Sequence, residues 1–80
     1  MSRSTLDLRG LNCPMPVLKT RKTIRAMAPR AQLLVESTDP LSVIDLPNYC
    51  REDGHTLLDY SEENGVHVFL IERGDTSAES

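Results

Sequence analysis

The chain has no tryptophan, one phenylalanine and two tyrosines in 80 residues. With rings this sparse, no stretch interleaves basic and aromatic side chains, the pattern that holds single-stranded nucleic acid by stacking. Direct nucleic-acid binding is therefore not expected. No run approaches the roughly 20 apolar residues of a membrane span. Met1-Ser2-Arg3-Ser4 lacks the apolar stretch of a secretory leader. These absences set the expectation of a cytoplasmic protein without direct membrane contact. The two cysteines, Cys13 and Cys50, are not in Cys-x-x-Cys spacing, which argues against thioredoxin-like redox chemistry. In a reducing compartment they are expected as thiols, although spacing alone leaves a Cys13–Cys50 bridge open. His55 and His67, taken with Cys50 and Asp53, give no ligand pair at zinc spacing. No metal and no bound cofactor are expected.

Eighty residues make one small domain, 1–80. The patterned core runs from about 5 to 73, and the polar stretch 74–80 reads as a frayed tail. Charge is unevenly placed. Residues 1–30 hold seven of the nine Lys and Arg against one acid, Asp7, for +6; the rest hold Arg51 and Arg73 against eleven acids, for −9. A small net charge of −3 does not suit a general nucleic-acid coat, yet a local basic face remains. Lys19, Lys22 and Arg25 on one helix dock an acidic partner, touch a tRNA backbone or are solvated; without aromatic interleaving, partner docking is the better functional reading.

Thr5 to Arg9 alternates Leu6 and Leu8 with Asp7 and Arg9, a short half-buried strand. From Pro14 to Ala28 the pattern is helical, with Val17, Leu18, Ile24, Met27 and Ala28 on one stripe. Prolines 14 and 16 fall in the first turn, where their missing N–H groups have no helical partner to lose. Ala31 to Ser37 is a second strand. Thr38-Asp39-Pro40 breaks it, with Asp39 placed to accept from the next turn's N–H groups. Leu41, Ile44, Tyr49 and Cys50 mark a second helix stopped by Gly54. Pro47 in mid-helix would cost about 3 kcal/mol. The expectation is therefore a short turn over Leu41–Ile44, then a helix capped by Asp45. His55 to Ser61 and Val66 to Arg73 form a hairpin, signalled by Asn64-Gly65. The order is βαβαββ. The fold class is α/β (α+β): a two-layer sandwich of a four-stranded mixed sheet with both helices on one face.

Cys13 sits at or next to the N-cap of the first helix. Unpaired N–H groups and the positive end of the helix dipole converge there, and both favour a thiolate, the nucleophilic form of cysteine. Arg9 and Lys19 are the cations within reach in sequence. Pro14 and Pro16 fix the first turn beneath the sulfur. The competing reading is a small buried thiol closing the strand–helix corner.

The stretch Asp7-Leu-Arg-Gly-Leu-Asn-Cys-Pro-Met-Pro-Val-Leu-Lys-Thr-Arg-Lys22 resembles the TusA/SirA/YedF family of small sulfur-carrier proteins, whose mark is Cys-Pro-x-Pro at the head of the first helix. The likeness continues through Thr38-Asp39-Pro40, Asp45-Leu-Pro47 and Gly54-His55, and covers about residues 5 to 73. Arg30 departs from the glycine many members place before the second strand. The resemblance implies the same βαβαββ sandwich. It implies a persulfide carried on Cys13, taken from a cysteine desulfurase or rhodanese-like donor and relayed to an acceptor protein. Acceptors in the family serve tRNA thiolation, molybdenum-cofactor synthesis or sulfur oxidation. A monomeric sulfurtransferase acting with partner proteins is the expectation. The alternative is a regulatory or RNA- or protein-binding module in which Cys13 is structural.

Overall fold

The computed structural model describes residues 3–74. Its elements are β1 (Arg3–Leu8), α1 (Met15–Arg25), β2 (Gln32–Ser37), α2 (Ser42–Asp53), β3 (Thr56–Glu63) and β4 (Val66–Glu72). Except for Gly74, the tail expected to fray lies outside the described residues. The four strands form one sheet in the order β1-β2-β4-β3. β1 and β2 are parallel, and the other two pairings are antiparallel. The right-handed preference of a strand–helix–strand crossover accounts for the parallel pair.

Register sorts the residues by face. Leu8 pairs with Ser37 and Ser37 with His67; Leu6 with Val35 and Val35 with Phe69; Leu33 with Ile71 and Ile71 with Leu57. These rows lie under the helices, and Leu33, Val35, Phe69 and Ile71 are fully buried. Leu46, Ile24, Tyr49 and Cys50 close the core from above. The alternate rows hold Leu34, Glu36, Val68 and Leu70, which are half-buried. One face is thus covered and one bare, as period-2 patterning requires. The hairpin turns through Asn64 at φ 54° and Gly65 at φ 80°, the pair of left-handed residues that lets two strands close in two residues. A bulge between Leu57 and Asp59 leaves Leu58 as the extra residue, exposed at the edge.

Three expectations need correction. α2 is continuous from Ser42 to Asp53 with Pro47 inside it; no separate turn ends at Ile44, and Asp45 is in the first helical turn rather than at its cap. Pro47 lies only six positions into the helix, where the missing N–H forfeits a single bond, to Val43. The buried stripe is Ser42, Leu46, Tyr49 and Cys50, whereas Leu41 and Ile44 are 51% and 57% exposed. On α1 the buried residues are Pro16, Thr20 and Ile24, and Leu18 faces solvent. Ile24, Tyr49 and Cys50 are buried as expected and Val17 and Met27 pack against the core, but Leu18, Leu41 and Ile44, apolar as well, face away from it.

Arg30 occupies the left-handed region, at φ 69°, the conformation that explains the glycine expected at this turn. The turn is pinned to the far end of the sheet. Arg30 N–H donates to Arg73 O and Arg73 N–H to Ala31 O, both at 2.9 Å.

Candidate functional site

The loops that leave the C-terminal ends of the parallel strands β1 and β2 meet at one edge of the sheet. That is where open α/β layers place their reactive groups. Gly10, at φ 88°, turns the chain out of β1, and its N–H donates to Thr38 Oγ1 at 2.9 Å. The next bond brings in the cysteine: Cys13 N–H donates to Asp39 Oδ2 at 2.6 Å. Asp39 Oδ1 accepts the Leu41 N–H at 3.1 Å, and its carbonyl accepts both the N–H and the hydroxyl of Ser42. Asp39 is buried. One carboxylate therefore holds the loop before α1 and the turn before α2 together. Asp39 accepts from the next turn as expected, but at Leu41, which is itself the N-cap of α2 and leaves that helix without a side-chain cap; its bond to Cys13 is one that its position in sequence did not announce.

Cys13 is exposed, and Cys50 is buried in the core; both are free thiols. Pro14 is the N-cap residue of α1, preceded by a cis peptide, and Cys13 stands next to it. Pro16 is the second helical residue and is buried. The first turn is built so that the chain beneath the sulfur is packed while the sulfur stays in solvent. Asn12 O accepts the Met15 N–H at 2.8 Å.

The electrostatics at the sulfur differ from expectation. Asp45, from the first turn of α2, approaches with Oδ2 at 3.1 Å and accepts the Cys13 S–H. This carboxylate, with some desolvation and the charge of Asp39, pushes the Cys13 thiol above its ordinary range. The depressed value expected at a helix head is overturned, because two acids face the sulfur and neutralise the pull of the helix end. Arg9 is turned elsewhere. Its Nε lies 2.9 Å from Asp7 Oδ1 and 3.9 Å from Glu36 Oε1, and this pairing holds the Asp7 carboxyl down at about 2. Lys19 is exposed on α1, and Lys22 and Arg25 occupy its last turn, where cations suit the negative end of the dipole. Burial, with the charge of Asp53, pushes the Cys50 thiol up to about 11.

Two features were missed in the sequence. Asp45 reads as a cap because Pro47 follows it; only the tertiary fold brings it to Cys13, 32 residues away in sequence. The other is an apolar rim. Met15 and Leu18 on α1, with Leu41 and Ile44 at the start of α2, are 39%, 43%, 51% and 57% exposed. Met15 and Leu18 follow Cys13 by two and five residues, and Leu41 and Ile44 precede Asp45 by four and one. The signal for them was available: apolar residues left over once the buried stripe is drawn at the correct phase.

Other groups stand apart from this edge. His67 is buried on the covered face, with Nδ1 2.8 Å from the Tyr60 hydroxyl. His55 Nδ1 accepts the Gly74 N–H at 3.0 Å. Among the described residues, no helix is long and apolar enough to cross a membrane.

Comparison with known proteins agrees with this architecture. The chain is 43% identical over 68 residues to the sulfur carrier protein TusA of Allochromatium vinosum, covering 85% of this chain and 90% of that one. It is 39% identical over 72 residues to a Neisseria meningitidis protein provisionally named a sulfur carrier protein, covering 90% of this chain and 97% of the other. The crystal structure of a SirA-like protein from Desulfitobacterium hafniense superposes with a TM-score of 0.77 at 24% identity, over 90% of this chain and 99% of that one; it shares the fold. A family model described as sulfurtransferase TusA matches residues 4–73, and the chain belongs to that family.

Proposed function

We propose that this protein is a sulfur carrier that accepts sulfane sulfur as a persulfide on Cys13 and passes it to an acceptor protein. The observation that carries the reading is the exposed Cys13 in a Cys-Pro-Met-Pro turn at the head of α1. Its exposure counts against a packing role for the thiol and so supports this reading over a module with a structural Cys13. The named relatives add weight, since both carry the word sulfur carrier in their names.

In the transfer, Cys13 sulfur attacks the outer sulfur of a donor persulfide, R–S–SH. A new S–S bond forms at Cys13, the donor S–S bond breaks, and the electron pair leaves on the donor thiolate. The proton released by Cys13 ends on that thiolate, giving Cys13–S–SH and R–SH. An acceptor thiolate then repeats the exchange on the outer sulfur. Pro14 and Pro16 hold the loop that presents the sulfur. The exposed Met15, Leu18, Leu41 and Ile44, near Cys13 or Asp45 in sequence, give a partner apolar surface to bury. The donor we infer is a cysteine desulfurase or a rhodanese-like protein in the cytoplasm. The acceptor belongs to a thiolation, molybdenum-cofactor or sulfur-oxidation relay.

Intact-mass measurement after incubation with a cysteine desulfurase and cysteine tests the reading. One added sulfur atom, mapped to Cys13 and removed by reductant, is the expected result. Cys13→Ser abolishes it, and Cys50→Ser retains it. Loading that survives Cys13→Ser would overturn the assignment.

A further inference from the structure

We propose that Asp45 holds Cys13 as a thiol in the free protein, and that a relay partner frees the thiolate by setting a cationic side chain against that carboxylate. This rests on the persulfide reading of Cys13 and adds to it the chemistry of the partner surface.

The groups that face the sulfur come from two segments. Asp45, in the first turn of α2, accepts the S–H at 3.1 Å. Asp39, in the β2–α2 loop, binds the Cys13 N–H. From the β1–α1 loop the only cation is Arg9, and it is engaged by Asp7 and Glu36. From α1 the first cation is Lys19, out in solvent. A proton shared between sulfur and carboxylate is stable. A thiolate left beside a carboxylate is not, since two like charges then stand in contact. The thiolate is the nucleophile, so the carrier at rest is restrained.

Asp45 is half-exposed, which leaves its carboxylate reachable from outside. On α2 it directly follows the exposed Ile44 and stands one turn beyond the exposed Leu41. A partner that covers Met15, Leu18, Leu41 and Ile44 expels water from the same place, and a cation it brings there acts at lower dielectric than in solvent. With the carboxylate paired to that cation, the Cys13 proton leaves for solvent or for the departing donor thiolate, and sulfur attack proceeds. The surface recognised is therefore apolar at its edge with an Arg or Lys near its centre. Reactivity is confined to the docked state, which protects the sulfur from oxidants and from wrong acceptors.

Charged thiol reagents read this directly on the full-length chain, without any sulfur donor. Relative to their rates with a free thiol, a methanethiosulfonate bearing a trimethylammonium group is expected to label Cys13 about 30-fold faster than its sulfonate counterpart, because the carboxylate attracts one and repels the other by about 1 kcal/mol each at a few ångström in water. Asp45→Asn and Asp45→Ser should collapse that preference and speed labelling by neutral iodoacetamide at pH 7. Asp45→Glu should keep both properties of the parent. With a cysteine desulfurase as donor, added NaCl should slow transfer less in Asp45→Asn than in the parent. An unchanged reagent preference in both charge-removing variants, or slower iodoacetamide labelling, would overturn the restraint. An unchanged salt response would overturn the cationic partner. None of the reagent results depends on persulfide loading, so failure of the carrier reading remains a separate outcome.

Discussion

Asp39 Oδ2 accepts the backbone N–H of Cys13 at 2.6 Å, across 26 residues of sequence. Its other oxygen accepts the Leu41 N–H. Removing this carboxylate leaves two backbone donors without partners at a buried junction. Asp39→Ala should destabilise the fold by about 2–3 kcal/mol, measured by urea unfolding. It should also change the reactivity of Cys13, because the loop that presents the sulfur loses its tether.

Arg9 should not support the sulfur. Its guanidinium is held by Asp7 and lies near Glu36, so Arg9→Ala is expected to leave the iodoacetamide rate at Cys13 unchanged. A clear slowing would show that its charge reaches the site.

The two faces of α2 should separate under alanine substitution. Leu46 is fully buried in the core cluster, while Ile44 is 57% exposed. Leu46→Ala should cost about 2–5 kcal/mol. Ile44→Ala should stay within about 0.5 kcal/mol and instead slow sulfur transfer from a desulfurase. Thermal melts and transfer rates of the same two variants distinguish folding from docking.

Arg30 carries a left-handed backbone at φ 69°. That conformation costs a non-glycine residue about 1–2 kcal/mol, whereas glycine adds about 0.4–1 kcal/mol of unfolded-state entropy. Arg30→Gly keeps the N–H bond to Arg73 O and should raise the melting temperature slightly.

His55 links stability to pH. Burial lowers its pKa below the ordinary 6.5 and Arg73 acts the same way, against an opposing pull from Asp53; Tyr49 packs 5.6 Å away. The folded state prefers the neutral ring, whose Nδ1 accepts the Gly74 N–H. The contribution is fully present above 6.5 and is lost as pH falls through the lowered folded value. Unfolding midpoints should decline on acidification through this range. His55→Asn, which offers an uncharged acceptor, should flatten that part of the profile.

The element order was legible because its punctuation is local. Asn64-Gly65, Gly54 and Thr38-Asp39-Pro40 each determine the backbone within a few residues, whatever the rest of the chain does. The phase of the helices was not, because Leu18, Leu41 and Ile44 are as apolar as the residues that are buried. Their exposure follows from where the helices rest on the sheet. Cys13 could be picked out by its motif, but its electrostatics could not. A helix head predicts a lowered thiol pKa, and the opposing acids come from α2 and the loop before it. Long-range placement decided the sign.

The parallel pairing of β1 with β2 has a consequence for how the protein is made. Cys13 emerges from the ribosome well before Asp39 and Asp45, which arrive 26 and 32 residues later. Until α2 packs beside the loop after β1, neither the Asp39 nor the Asp45 carboxylate stands at that sulfur. The nascent chain is therefore more open to oxidative damage than the finished domain, and its vulnerable interval ends when the second helix docks.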